Sequence, residues 1–306
     1  MRYRILGRTG LRISTVAFGA GPVSGLMTGH DHVAQTAAMK RAVGLGINWI
    51  DTAPGYGQGR SETNIGRTLA EINARESLQV ATKVRLAPDQ LSNIPHAIRV
   101  SVETSLQRLG LRAVTLLQLH NGLTARRDDE PFSITPHDVL GAGGVLEAFQ
   151  ELRRSGLVRH IGLTGTGQAA EMREVVCSGG FDTIQVPYHL LNPTAGRASP
   201  DDSADCDYGN IIADCAGLNM GVFAIRVFAG GALLGQEPSG HTLTTPFFPL
   251  ALYLRDRERA DRLASTGSLK EKALRFVLDD SRVHSAIIGF GSAEQLEEVA
   301  GLVDRA

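Results

Sequence analysis

Four side chains in the first 120 residues could together move one proton: those of an acid, a phenol, an ammonium and an imidazole. Asp51 ends the apolar run Asn48-Trp49-Ile50-Asp51, and Tyr56 lies five positions further on, past Thr52-Ala53-Pro54-Gly55. Lys83 ends the run Gln79-Val80-Ala81-Thr82-Lys83, and His120 ends Val114-Thr115-Leu116-Leu117-Gln118-Leu119-His120. A carboxylate at the end of a buried strand is costly unless it is paired, and Lys83 offers the cation. A phenol normally holds its proton up to about pH 10, and an ammonium beside it favours the phenolate. Tyr56 could therefore give a proton to a carbonyl oxygen and take one back from an alcohol. Asp51 would keep Lys83 charged and oriented, and His120 could donate to a developing alkoxide. Taken singly, each has a plainer role: a turn tyrosine, a rim lysine, a capping aspartate, a histidine bonding local backbone. Only their joint position at three successive strand ends points to catalysis.

Those ends need a scaffold that brings them together. Short β-rich runs alternate with helical patterns from residue 15 onward. The strands are expected at 15–18, 47–50, 78–82, 114–119, 158–163, 183–186, 222–225 and 283–288. Helices are expected at 31–43 with Asp31 as cap, at 61–74 with Ser61 and Asn64 as caps, and at 95–109 with Pro95 in the first turn and Gly110 as stop. Further helices follow at 142–155, 169–177, 208–216, 251–264, 268–279 and 293–303. Ahead of all this, 3–14 reads as a hairpin turning at Gly7-Arg8-Thr9-Gly10. Eight strand–helix units predict an α/β fold, a (β/α)8 TIM barrel over 1–306 as one domain, with an N-terminal β-hairpin cap. The rival is an open doubly wound sheet with a Gly-x-Gly-x-x-Gly turn. Gly19-Ala20-Gly21-Pro22-Val23-Ser24-Gly25 comes near that spacing. However, a proline follows the second glycine and no helix opens there, so it reads as a loop at the barrel mouth. The loops at 121–141, 187–207 and 226–250 are long, as binding loops and lids are.

The composition narrows the partners. The chain has 306 residues, 42% of them hydrophobic, and a net charge of −1. That balance gives no reason to expect nucleic acid or an anionic membrane. No apolar run reaches the ~18 residues of a spanning helix, and residues 1–7 lack the apolar core of a leader. Cys177, Cys206 and Cys215 have no metal-ligand spacing and fit reduced thiols in a cytoplasmic protein. Cys177, after an apolar helical run, is expected to be a packing residue. Arg126-Arg127-Asp128-Asp129-Glu130 reads as a solvated loop face, although an arginine there could meet an acidic substrate.

Asp-Thr-Ala-x-x-Tyr-Gly, Ala-Thr-Lys and Leu-Leu-Gln-Leu-His, in this order, resemble the catalytic tetrad of the aldo-keto reductases. Further matches run from Leu6-Gly7-Arg8-Thr9-Gly10-Leu11 to Glu294-Gln295-Leu296-Glu297-Glu298, so the resemblance spans nearly the whole chain. It implies a hairpin that closes the bottom of the barrel and a nicotinamide cofactor over its mouth. Family members bind the carboxamide with a Ser-Asn pair after strand five and a Gln on strand six. Here Thr164 and Gly165 stand in place of the pair, and Gln185 matches the Gln. The plainer reading of Gln185 is a buried amide tying strands together. Arg226, Gly230, Gly231 and Leu233 match the pyrophosphate loop, where a guanidinium can stack or pair with phosphate. The plainer reading of Arg226 is a salt bridge to a neighbouring acid. Gly289, Gly291, Gln295 and Glu298 match the adenosine end. Members that prefer NADP carry basic residues where Gly289 and Gln295 stand, and an Asn where Val299 stands. Glu294 and Glu297 would repel a 2′-phosphate. The cofactor expectation is NAD, or dual use of NAD and NADP.

The function this predicts is NAD(P)-dependent interconversion of an aldehyde, ketone or sugar hemiacetal with its alcohol or lactone. The alternative is a nicotinamide-binding regulatory or sensor protein with little turnover. A metal-dependent hydrolase on the same barrel is disfavoured, because the nine histidines include no His-Glu-x-x-His arrangement. The sequence leaves oligomeric state and the particular small-molecule substrate open.

Overall fold

A computed structural model of the chain describes residues 1–197, 206–263 and 268–304. The elements run in the order β1 (Tyr3–Ile5), β2 (Arg12–Ser14), β3 (Val16–Gly19), α1 (His32–Gly44), β4 (Trp49–Asp51), α2 (Arg60–Glu71), β5 (Gln79–Val84), α3 (Ile94–Leu109) and β6 (Val114–Leu119). Next come α4 (Pro136–Leu140), α5 (Val145–Arg154), β7 (Val158–Thr164), α6 (Ala169–Cys177), β8 (Thr183–Pro187), α7 (Ile211–Gly217) and β9 (Gly221–Ile225). The chain ends with α8 (Gly240–Thr244), α9 (Leu250–Leu263), α10 (Leu269–Leu278), β10 (Ser285–Gly289) and α11 (Ala293–Asp304). Strands β3 to β10 close into a parallel barrel in the order β10-β3-β4-β5-β6-β7-β8-β9, with helices outside. β1 and β2 form the separate antiparallel hairpin.

Local chemistry explains most boundaries. The Asp31 carboxylate accepts from the Ala34 N–H and starts α1. Asn93 does the same for α3 through the His96 N–H, and Gly110 ends α3 in the left-handed region at φ 61°. The expected caps of α2 are wrong. Its N-cap is Gly59, at φ 88°, and no side chain caps it. Ser61 and Asn64 reach outward instead, Ser61 to the Ala20 carbonyl and the Thr52 hydroxyl, Asn64 to the Met27 carbonyl. The long connections hold structure of their own: α4 after β6, and a short 3-10 turn (Ala229–Leu234) with α8 after β9. Positions 198–205 of the loop after β8, and position 264 at the expected end of α9, lie outside the described residues. Among the described residues no helix is long and apolar enough to cross a membrane.

Side chains alternate in and out along each strand, and this layering builds the site. Ala17, Trp49, Ala81, Leu116, Phe223 and Ile287 fill the lower barrel, where Leu6 and Ile13 of the hairpin segment close it. Full burial of each large side chain there contributes roughly 1.5–3 kcal/mol. Two residues further up the same strands stand Asp51, Lys83 and Gln118. A further step of two past β5 and β6 reaches Arg85 and His120. An apolar plug therefore supports a polar layer, and the polar layer supports the mouth.

One expectation about packing fails. Cys177 is exposed at the last position of α6, while Cys215 is the buried cysteine. The buried stripe of α6 runs through Met172, Val175 and Val176, and Cys177 falls off it.

Candidate active site

Lys83 is buried, and its ammonium meets three oxygens: Asp51 Oδ2 at 2.5 Å, the Thr52 carbonyl at 2.9 Å and the Tyr56 hydroxyl at 3.2 Å. Burial alone would lower the lysine pKa. The Asp51 carboxylate and the Tyr56 oxygen outweigh that, and the net shift is upward. Lys83 is therefore held as an ammonium with its charge directed at a carboxylate and a phenol.

Asp51 is satisfied on both oxygens. Oδ2 takes the ammonium, and Oδ1 accepts from the amides of Gln118, at 3.3 Å, and Gln185. The register places Lys83 level with Gln118, and Gln185 level with Thr164. Three strands thus converge on one carboxylate from β4. Gln118 is not among the residues the sequence singles out. The available signal is its place two residues before His120, on the same face of β6.

Tyr56 and His120 meet edge to face, with ring centroids 5.9 Å apart. Burial pushes the His120 pKa well below its usual value, and the nearby Arg85 and Lys83 charges add to this. The imidazole is therefore neutral at ordinary pH and keeps one N–H to donate. The Gly21 backbone runs close to the Tyr56 ring, so the glycine-rich stretch after β3 lies at the barrel mouth as expected.

Residues behind the strands fix this geometry. Glu62 is fully buried on α2 and accepts from the Thr82 hydroxyl at 2.6 Å and from the Arg108 guanidinium at 2.7 Å. Gly66 lets α2 approach that close, because a Cβ there would fall 2.6 Å from the carbonyl oxygens of Arg108 and Leu109. Ser61 holds Thr52 in the same way. The neighbours of Asp51 and Lys83 are thus pinned from outside the barrel.

The residues expected around the cofactor show a mixed picture. Thr164 ends β7, and its hydroxyl oxygen is buried with no hydrogen-bond partner among the described residues. An orphaned buried hydroxyl at the mouth fits a carboxamide partner. A side chain at Gly165 would meet Ile184, with Cδ1 2.7 Å from the Cβ position, so the expected Asn would require the Ile184 side chain to shift. Gln185 donates its amide to Asp51. Arg226 lies 3.4 Å from Asp256 and stacks 4.2 Å over the Phe248 ring. Gly230 and Gly231 take φ values of 69° and 103°, the left-handed region that favours glycine in a tight turn. The N–H groups of Gly231 and Leu233 both donate to the Phe228 carbonyl. Gly289 backs onto Ser24, Gln295 accepts from the Gly291 N–H at 2.8 Å, and Glu298 pairs with Lys270. The loop arginines are also engaged: Arg126 pairs with Asp129, and Arg127 with Asp138.

A closed parallel barrel, plugged below and carrying this polar layer at its mouth, matches known proteins. The sequence model described as the aldo/keto reductase family covers residues 15–305, and the chain belongs to that family. Aldo-keto reductase YhdN of Bacillus subtilis is 28% identical, over 98% of this chain and 89% of its own. L-galactose dehydrogenase of Arabidopsis thaliana is 26% identical, over 96% of this chain and 86% of its own. Among solved structures, the glycerol dehydrogenase AKR11B4 of Gluconobacter oxydans matches with a TM-score of 0.69 and 27% identity, over 98% of this chain and 89% of its own. The family comprises oxidoreductases that use nicotinamide cofactors on small molecules.

Proposed function

We propose that this chain interconverts an aldehyde, ketone or sugar hemiacetal with its alcohol or lactone, with Tyr56 as general acid and base. The observation that carries the reading is the Lys83 ammonium, set between the Asp51 carboxylate and the Tyr56 hydroxyl. In reduction the Tyr56 hydroxyl gives its proton to the carbonyl oxygen, and the ammonium stabilises the phenolate left behind. Neutral His120 donates to the same oxygen and orients it. Asp51, held by two glutamines, keeps Lys83 charged and fixed. In oxidation the phenolate takes the proton back. The nicotinamide, when bound, supplies or accepts the hydride.

Thr164 and Gln185 would hold the carboxamide; Arg226, Gly230, Gly231 and Leu233 the pyrophosphate; Gly289, Gly291, Gln295 and Glu298 the adenosine end. NAD, or both cofactors, is favoured over strict NADP. Gly289 and Gln295 carry no charge, and a longer side chain at Gly289 would press on Ser24. Glu297 and Glu298 already engage Arg41 and Lys270. The name of the Arabidopsis relative supports a sugar hemiacetal among the substrates.

The test is a steady-state assay of the chain and Tyr56→Phe on a panel of carbonyls and sugars, with NADH and NADPH, and with the oxidised cofactors in reverse. The variant is expected to lose about 10²- to 10⁴-fold in kcat. Equal, near-zero rates for both proteins would favour the regulatory alternative.

A further inference from the structure

Arg85 stands one rung above Lys83 and level with His120, at the rim of the proposed catalytic layer. It is half-buried, which is costly for a charge without a counter-ion. No ion pair joins it to any described carboxylate. It makes a long 3.4 Å bond from Nε to the His120 carbonyl and stacks on the Phe247 ring, 4.1 Å from the guanidinium carbon to the ring centroid. Burial lowers its pKa without taking away its charge. In the layer below, Asp51 neutralises Lys83, and His120 is neutral, so Arg85 is a cation at the mouth without a carboxylate partner of its own. The sequence points to Arg126 and Arg127 as candidates for an acidic substrate, but both already have carboxylate partners.

We propose that Arg85 anchors an oxyanion on the substrate, so that preferred substrates carry a carboxylate or phosphate a few bonds from the reacting carbonyl. The inference rests on the catalytic reading above, because it takes the carbonyl to lie between Tyr56 and His120. The Phe247 ring holds the planar guanidinium from one face, and the edge of its fork remains for the bidentate geometry that carboxylate and phosphate accept.

The experiment compares kcat/KM for butanal against 4-oxobutanoate, and for glyceraldehyde against glyceraldehyde 3-phosphate, in the full-length chain, Arg85→Gln and Arg85→Lys. The unaltered chain should prefer at least one anion at least tenfold over its neutral partner, and the pair that shows this identifies carboxylate or phosphate. Arg85→Gln should lose about 10- to 100-fold on that anion, mainly through KM, and change less than about threefold on the neutral compound. Arg85→Lys should keep part of the preference. No anion preference, or an equal loss on charged and neutral substrates, overturns the anchor while leaving the catalytic reading intact. Calorimetric titration with succinate and with inorganic phosphate reads Arg85 without turnover. Binding that Arg85→Gln lacks supports the anchor even if no carbonyl is reduced, and identical titrations of the two proteins overturn it.

Discussion

The Gln185 amide donates to Oδ1 of Asp51 from β8, four strands around the barrel from β4. With Gln118 and Lys83, it gives the buried carboxylate three side-chain donors. Bonds to a charged group contribute about 1.5–3 kcal/mol each. Gln185→Leu should therefore lower unfolding free energy by about that amount, read from urea denaturation at pH 7. A change below roughly 0.5 kcal/mol would mean that water replaces the amide without cost.

Glu62 links α2, β5 and α3 through Thr82 and Arg108. Glu62→Ala takes the acceptor from the Thr82 hydroxyl and leaves a half-buried guanidinium with only a 3.4 Å bond to the Ser105 hydroxyl, so it should cost about 1–3 kcal/mol in the same assay. It should also slow catalysis through a loosened Lys83 strand, with KM for cofactor little changed. Unaltered stability would show that Arg108 finds solvent freely.

Burial drives the pKa of both His120 and His189 well below the usual histidine value. The unfolded chain therefore binds more protons than the folded one as pH falls through about 6.5. The stability these neutral histidines contribute is complete above that pH and is lost progressively below it. Thermal midpoints between pH 7.5 and 5 should fall towards acid, and His189→Asn should flatten the slope. A parallel slope in the variant would remove His189 from the account.

Burial raises the Cys206 thiol to about 11 and the Cys215 thiol to about 12, whereas Cys177 is exposed. A thiol-reactive dye at neutral pH should label about one site per chain quickly. Cys177→Ser should abolish that fast phase. Fast labelling that persists in the variant would contradict the raised thiol pKa values of Cys206 and Cys215.

The barrel is legible in the sequence because local chemistry and tertiary structure agree. Alternating β-rich runs and capped helices mark eight units, and the three tetrad motifs fall at strand ends. What escapes has physical reasons. Gln118 is one polar residue in an apolar run, and its meaning comes from its register with Lys83 across β5 and β6. Glu62 looks like an ordinary first-turn acid until α3 brings Arg108 to it. Ser61 reads as a helix cap because its type fits, but Gly57 and Gly59, both at positive φ, carry the chain into α2. Following the apolar run of α6 misplaces Cys177, because helical periodicity turns outward there. Arg85, two residues after Lys83, belongs to none of the motifs, and only the layering of the barrel sets it beside His120.

The central claim is that the Lys83 ammonium, fixed by Asp51, prepares the Tyr56 hydroxyl to exchange a proton with substrate. It is tested most directly by kcat of Lys83→Met on a substrate the unaltered chain turns over, with cofactor affinity measured on the same samples through Trp49 fluorescence. The account predicts a loss of at least about 100-fold in kcat, with cofactor affinity within about threefold. A variant that keeps kcat within threefold of the unaltered chain would contradict it.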